Sequence, residues 1–141
     1  MLYQTDFDGK IREFGCLFMS LLDIVRDVTG CKIRKHDVET LYDILIKDGC
    51  MNSNCYVKNH ETVLEKMLEY YAAAYNNKKI KYVGAQYLSN KNDSWGSNEG
   101  DYIIYQVKAP SFSHFRRMSY DPYRPTLNFN SILSVRYYTV Y

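Results

Sequence analysis

No stretch of this sequence approaches the ~20 consecutive apolar residues that a membrane-spanning helix needs. The opening MLYQTDFDGKIREFGC mixes acids and bases and lacks the apolar run of a secretory signal. The chain is therefore expected to stay in the cytoplasm where it is made, with no membrane partner. An excess of one charge is lacking too: 18 Lys plus Arg against 16 Asp plus Glu leave a net of +2, too little to drive binding to nucleic acid or an anionic surface. No repeat or low-complexity tract stands out. Cysteine is sparse, at positions 16, 31, 50 and 55. In a reducing compartment these four are expected as free thiols rather than as a disulfide framework.

What is present fits one domain over residues 1–141, because 46% apolar content in 141 residues suffices for a single core. Aromatics make up 16% of the chain and 15 residues are Tyr, whose apolar body and polar tip suit half-buried strands and sticky surfaces alike.

The two halves carry different periods. Gly15 to Val28 (GCLFMSLLDIVRDV) places Leu17, Leu21, Leu22, Ile24, Val25 and Val28 at helical spacings, contains no Pro, and runs into Gly30 as its C-cap. A second helix is expected from Asp37 as N-cap to Gly49, with Val38, Leu41, Tyr42, Leu45 and Ile46 as its apolar stripe. Asn59 caps a third, HETVLEKMLEYYAAAY. Beyond Asn76-Asn77 the runs shorten and alternate: 79–88, 101–108, about 112–118, and 131–141. Helices over about 1–76 followed by strands over about 77–141 predict an α+β domain with an antiparallel sheet. The polar loop between the first two runs carries Trp95, and such loops are often functional.

Chemistry enters with Cys16, which follows a glycine and opens an apolar helix. A thiol there meets the positive end of the helix dipole, where backbone N–H groups favour the reactive thiolate. A cysteine nucleophile needs a base, and the base needs a group to orient it. SHFRRMSYDPYRP supplies both as His114 and Asp121, separated so that a strand and a tight turn can fold them together. Arg116 and Arg117 are expected to act against an imidazolium at His114, since like charges disfavour one another.

A Gln upstream, a Gly-Cys opening an apolar helix, and a late His-Phe followed by Tyr-Asp-Pro together resemble the papain-like cysteine peptidases. The likeness is to the bacteriocin-processing type and its small phage and plasmid relatives. The resemblance implies a Cys-bearing helical half packed on a His-bearing sheet. It also implies Cys16 as nucleophile, His114 as general base, Asp121 as the residue that holds the imidazole, and Gln4 with the Cys16 amide as oxyanion hole. The activity implied is cleavage of a peptide, isopeptide or amide bond, with a protein or peptide as substrate.

Blander readings stand beside each residue. Cys16 alone is as readily core filling, His114 an ordinary strand residue, Asp121 a turn former before Pro122, and Gln4 a solvated residue in a loose N-terminus. Cys50, Cys55 and His60 have a spacing a metal tolerates, but zinc takes four ligands and no fourth stands nearby, so neither metal nor cofactor is expected. The interleaving of His114, Arg116, Arg117, Tyr120, Tyr123, Arg124 and Arg136 also suits a single-strand nucleic-acid binder, although nucleic acid is not the expected partner. The competing function class is a catalytically inactive protein on the same scaffold that binds a target protein, a phage-encoded inhibitor of a host protein being one form.

Overall fold

The structure is a computed structural model and describes residues 1–71, 78–88, 101–108, 112–123 and 131–141. A 3-10 turn, Gln4–Asp6, leads into helices α1 (Gly9–Phe14), α2 (Cys16–Thr29), α3 (Lys35–Lys47) and α4 (His60–Tyr70). Strands β1 (Ile80–Tyr87), β2 (Tyr102–Lys108), β3 (Ser113–Arg116) and β4 (Ile132–Val140) follow. They form one antiparallel sheet in the order β1-β4-β2-β3. The α+β arrangement of N-terminal helices and C-terminal sheet is thus observed. The loop bearing Trp95 lies outside the described residues, as do 72–77 at the end of the expected third helix.

Helix α2 is the centre of the core. Phe18, Met19, Leu21, Leu22, Ile24 and Val25 have no exposed surface, and Gly30 ends the helix at φ 72, a left-handed turn that costs glycine little. The core continues into Leu41 and Leu45 of α3, Leu64 and Met67 of α4, and Ile104 and Tyr138 of the sheet, so helices and strands share it. Asn59 caps α4 as expected, its Oδ1 accepting from the Thr62 amide at 3.0 Å. The start of α3 differs from expectation. Arg34 is the N-cap and Asp37 lies inside the first turn, where its carboxylate accepts the Arg34 amide at 3.0 Å. The acid still quenches an orphan donor of the helix end, but from three residues inside it.

His60 does not join Cys50 and Cys55. Its Nδ1 lies 2.9 Å from the Tyr138 hydroxyl and its ring stacks on Tyr82 at 4.4 Å. Cys50 Sγ faces the Leu45 carbonyl instead, and Cys55 Sγ that of Lys10. Burial, and after it the charge of Arg136, push the His60 pKa down from 6.5 to about 4. A folded value below the unfolded one means that His60 contributes stability above pH 6.5 and that this is lost as pH falls toward 4. The thermal midpoint of the wild type is expected to exceed that of His60→Gln above pH 6.5, and the difference to shrink between pH 6.5 and 4. Calorimetry across that window checks this; a difference that does not vary with pH would refute it.

Candidate active site

The site is assembled by two local devices. The first is the junction of α1 and α2. Gly15 donates its amide to the Ile11 carbonyl at 2.8 Å, and a Cβ at this position would run into that same oxygen. Glycine lets the chain turn closely here, which sets Cys16 at the first position of α2, half-buried. The second is the turn after β3, closed by the Arg117 amide on the Tyr120 carbonyl at 2.9 Å. It folds Asp121 back onto His114, whose Nε2 lies 2.6 Å from Asp121 Oδ1. That oxygen also accepts the Tyr123 amide at 3.0 Å, so Asp121 is both the turn former and the partner of the imidazole.

His114 is 1% exposed and Asp121 7%. Nε2 is committed to Asp121, and Cys16 lies close enough for its side chain to act on the charge of the ring. Burial alone would lower the His114 pKa. The hydrogen bond to Asp121 and the nearby Cys16 side chain, together with their charges, outweigh it and raise the value to about 9. Burial likewise acts to raise Asp121, but the bonds from His114 and the Tyr123 amide and the charges of His114 and Arg116 bring it below 3.8. The pair is therefore imidazolium and carboxylate at neutral pH.

The two arginines that were expected to oppose this state do not. Arg117 Nη1 donates to Asp23 Oδ2 at 2.6 Å, on α2, and its guanidinium lies 5.1 Å from the centre of the Tyr102 ring. Arg116 Nη1 faces Asp121 Oδ2 at 3.3 Å, off the line of a hydrogen bond. One cation ties the His-bearing strand to the Cys-bearing helix, and the other supports the carboxylate that holds the imidazole. Tyr120 and Arg136 are also committed inside the fold, to the Leu2 carbonyl and to Ser134. Arg124 lies outside the described residues.

Gln4 is 2% exposed rather than loose. Its amide donates to the Pro122 carbonyl at 2.8 Å, next to Asp121, and its Nε2 donates to the Arg12 carbonyl at 2.8 Å. One Nε2 proton remains, and Oε1 has no partner. Gln4, Cys16 and His114 line a single cleft of about 730 Å³. Three exposed aromatics, Phe14, Tyr56 and Phe112, line it as well, and Cys55 does so from the loop before α4. Sequence reasoning missed all four. A signal was available for two of them, because Phe14 and Phe112 each stand two residues ahead of a candidate catalytic residue.

A family model described as "Protein of unknown function, DUF261" matches residues 3–122. No curated protein and no solved structure matches the chain. The matched span takes in Gln4, Cys16, His114 and Asp121, and over it the chain belongs to the DUF261 family.

Proposed function

We propose that the protein is a papain-like thiol hydrolase that cleaves a peptide, isopeptide or amide bond through a thioester on Cys16. The observation that carries this reading is a buried histidine, held by a carboxylate at 2.6 Å, that shares the wall of one cleft with a cysteine at a helix start. The Cys16 sulfur attacks the carbonyl carbon, and the oxygen gathers the negative charge. Donors for that charge are the Cys16 amide and the remaining Nε2 proton of Gln4. His114 passes its proton to the leaving amine, and the neutral ring then draws a proton from water, which hydrolyses the thioester. Asp121 keeps the ring oriented throughout. The aromatic lining favours an acyl group with a large apolar side chain, since clustered exposed aromatics mark binding sites more than scattered ones do.

The test uses p-nitrophenyl esters of N-acetyl-phenylalanine and N-acetyl-aspartate. Expected are a burst of one equivalent of nitrophenolate, an acyl mass on the Cys16 peptide that is absent in Cys16→Ala, and acylation about tenfold faster for the phenylalanine ester. The same aromatic surface also favours a second reading, a binding protein without chemistry. Absence of any adduct on Cys16 would establish that reading in place of the first.

A further inference from the structure

Cys55 is the one non-glycine residue with positive φ, at 60, among the described residues. It closes a tight turn in which its amide donates to the Asn52 carbonyl at 3.0 Å, and Met51 bridges Val57 beyond it. Glycine or asparagine takes such a position readily, whereas cysteine holds it at a cost. Residues so held cluster at functional sites. Cys55 is 3% exposed, its thiol makes a long hydrogen bond of 3.8 Å to the Lys10 carbonyl, and it lines the cleft of Cys16. A cysteine that merely filled the core would gain nothing from this backbone. Cys31 belongs to a different hollow, beside Met1 and Arg26, and Cys50 is buried against the Leu45 carbonyl.

We propose that Cys16 and Cys55 form a reversible disulfide across the cleft when the protein meets a peroxide, closing the site until a dithiol reopens it. This rests on the reading of Cys16 as the nucleophile. In the first step the Cys16 thiolate attacks one peroxide oxygen and the O–O bond breaks. The departing hydroxide takes the His114 proton and leaves as water, and Cys16, oxidised by two electrons, becomes a sulfenic acid. In the second step the Cys55 sulfur attacks the Cys16 sulfur. The S–OH bond breaks, the S–S bond forms, and hydroxide leaves as water with the Cys55 proton. Electrostatics set the order of events. In the reduced protein, burial first and the charge on Cys16 second push the Cys55 thiol up to about 12, which keeps it protonated and inert. A neutral sulfenic acid at Cys16 removes the second contribution.

The experiment treats the reduced full chain at pH 7 with a severalfold molar excess of hydrogen peroxide, enough for both the sulfenic and the sulfinic step, digests it without reductant and maps the peptides by mass. A Cys16-to-Cys55 linked pair is expected, with more than about half of the alkylatable Cys16 recovered after dithiothreitol. In Cys55→Ser, and in Cys55→Gly, which suits the turn, Cys16 is expected to proceed to sulfinic acid with recovery below about a tenth, because that state resists dithiols. Cys16 over-oxidised beside a free Cys55 in the wild type, or equal recovery in wild type and variants, would overturn the proposal. Iodoacetamide labelling without peroxide reports separately on the nucleophile. Labelling that ignores His114 sinks the hydrolase reading, and only the peptide map sinks the disulfide.

Discussion

Replacing His114 with glutamine is expected to slow the alkylation of Cys16 by iodoacetamide at pH 7 at least ~tenfold, because a thiol beside an imidazolium is far more nucleophilic than one beside an amide. The raised value of about 9 at His114 predicts where this advantage ends. It holds through neutral pH and fades as pH rises through about 9, where His114 loses its proton. Asp121→Asn falls between wild type and His114→Gln, since the amide still occupies the place behind the ring but no longer stabilises its charge. Stability follows the same titration. A folded value above the ordinary 6.5 means that His114 stabilises the fold fully below 6.5 and that this support is lost as pH rises through about 9. Asp121, shifted below 3.8, supports the fold above that value and ceases to do so as pH falls below it. Cys31, also half-buried but lining a different hollow, serves as internal control. Equal rates at Cys16 and Cys31, or equal Cys16 rates in wild type and His114→Gln, would show that the dyad does not act.

The parts of this site that the sequence revealed are those with a local cause. An apolar run ended by glycine locates α2 and hence Cys16, and Asp-Pro after a strand-like run locates the turn that brings Asp121 to His114. Helix α1 escaped because GKIREF is one short segment with a single buried residue, Ile11, and so has no period to detect. The burial of Gln4 escaped because what buries it is remote in sequence. The Tyr120 hydroxyl donates to the Leu2 carbonyl at 2.6 Å and the Gln4 amide to that of Pro122, contacts between chain ends that no local pattern encodes. The arginines were misjudged by being weighed against the nearest charged neighbour in sequence. A better guide was already in view: Asp23 falls among the apolar residues Leu21, Leu22, Ile24 and Val25 of α2, and a carboxylate so placed demands a buried cation from elsewhere.

That demand makes Arg117 the second residue of large effect. Asp23 exposes 1% of its side chain and receives Arg117 at 2.6 Å and Arg26 at 3.0 Å. Arg26 is 42% exposed and reaches it from the same helix, so it neutralises Asp23 without joining α2 to anything else. Arg117 alone carries the charge pair across to the chain that follows β3. Arg117→Ala leaves a buried carboxylate short of a partner and is expected to cost on the order of 3 kcal/mol, lowering the thermal midpoint by roughly 10 °C. Arg116→Ala should cost less, because Arg116 is 18% exposed and its 3.3 Å contact with Asp121 lacks hydrogen-bond geometry. The double substitution Asp23→Leu with Arg117→Leu should recover most of the loss, since no charge is then stranded in the core. What separates a tie between helix and sheet from a merely stabilising pair is its coupling to the site. With β3 no longer held to α2, His114 drifts from Cys16, so Arg117→Ala should slow Cys16 alkylation in wild-type background yet change nothing further in His114→Gln. Additive effects in that cycle, or an Arg117→Ala protein within about 0.5 kcal/mol of wild type, would mean that the strand finds its place without the ion pair.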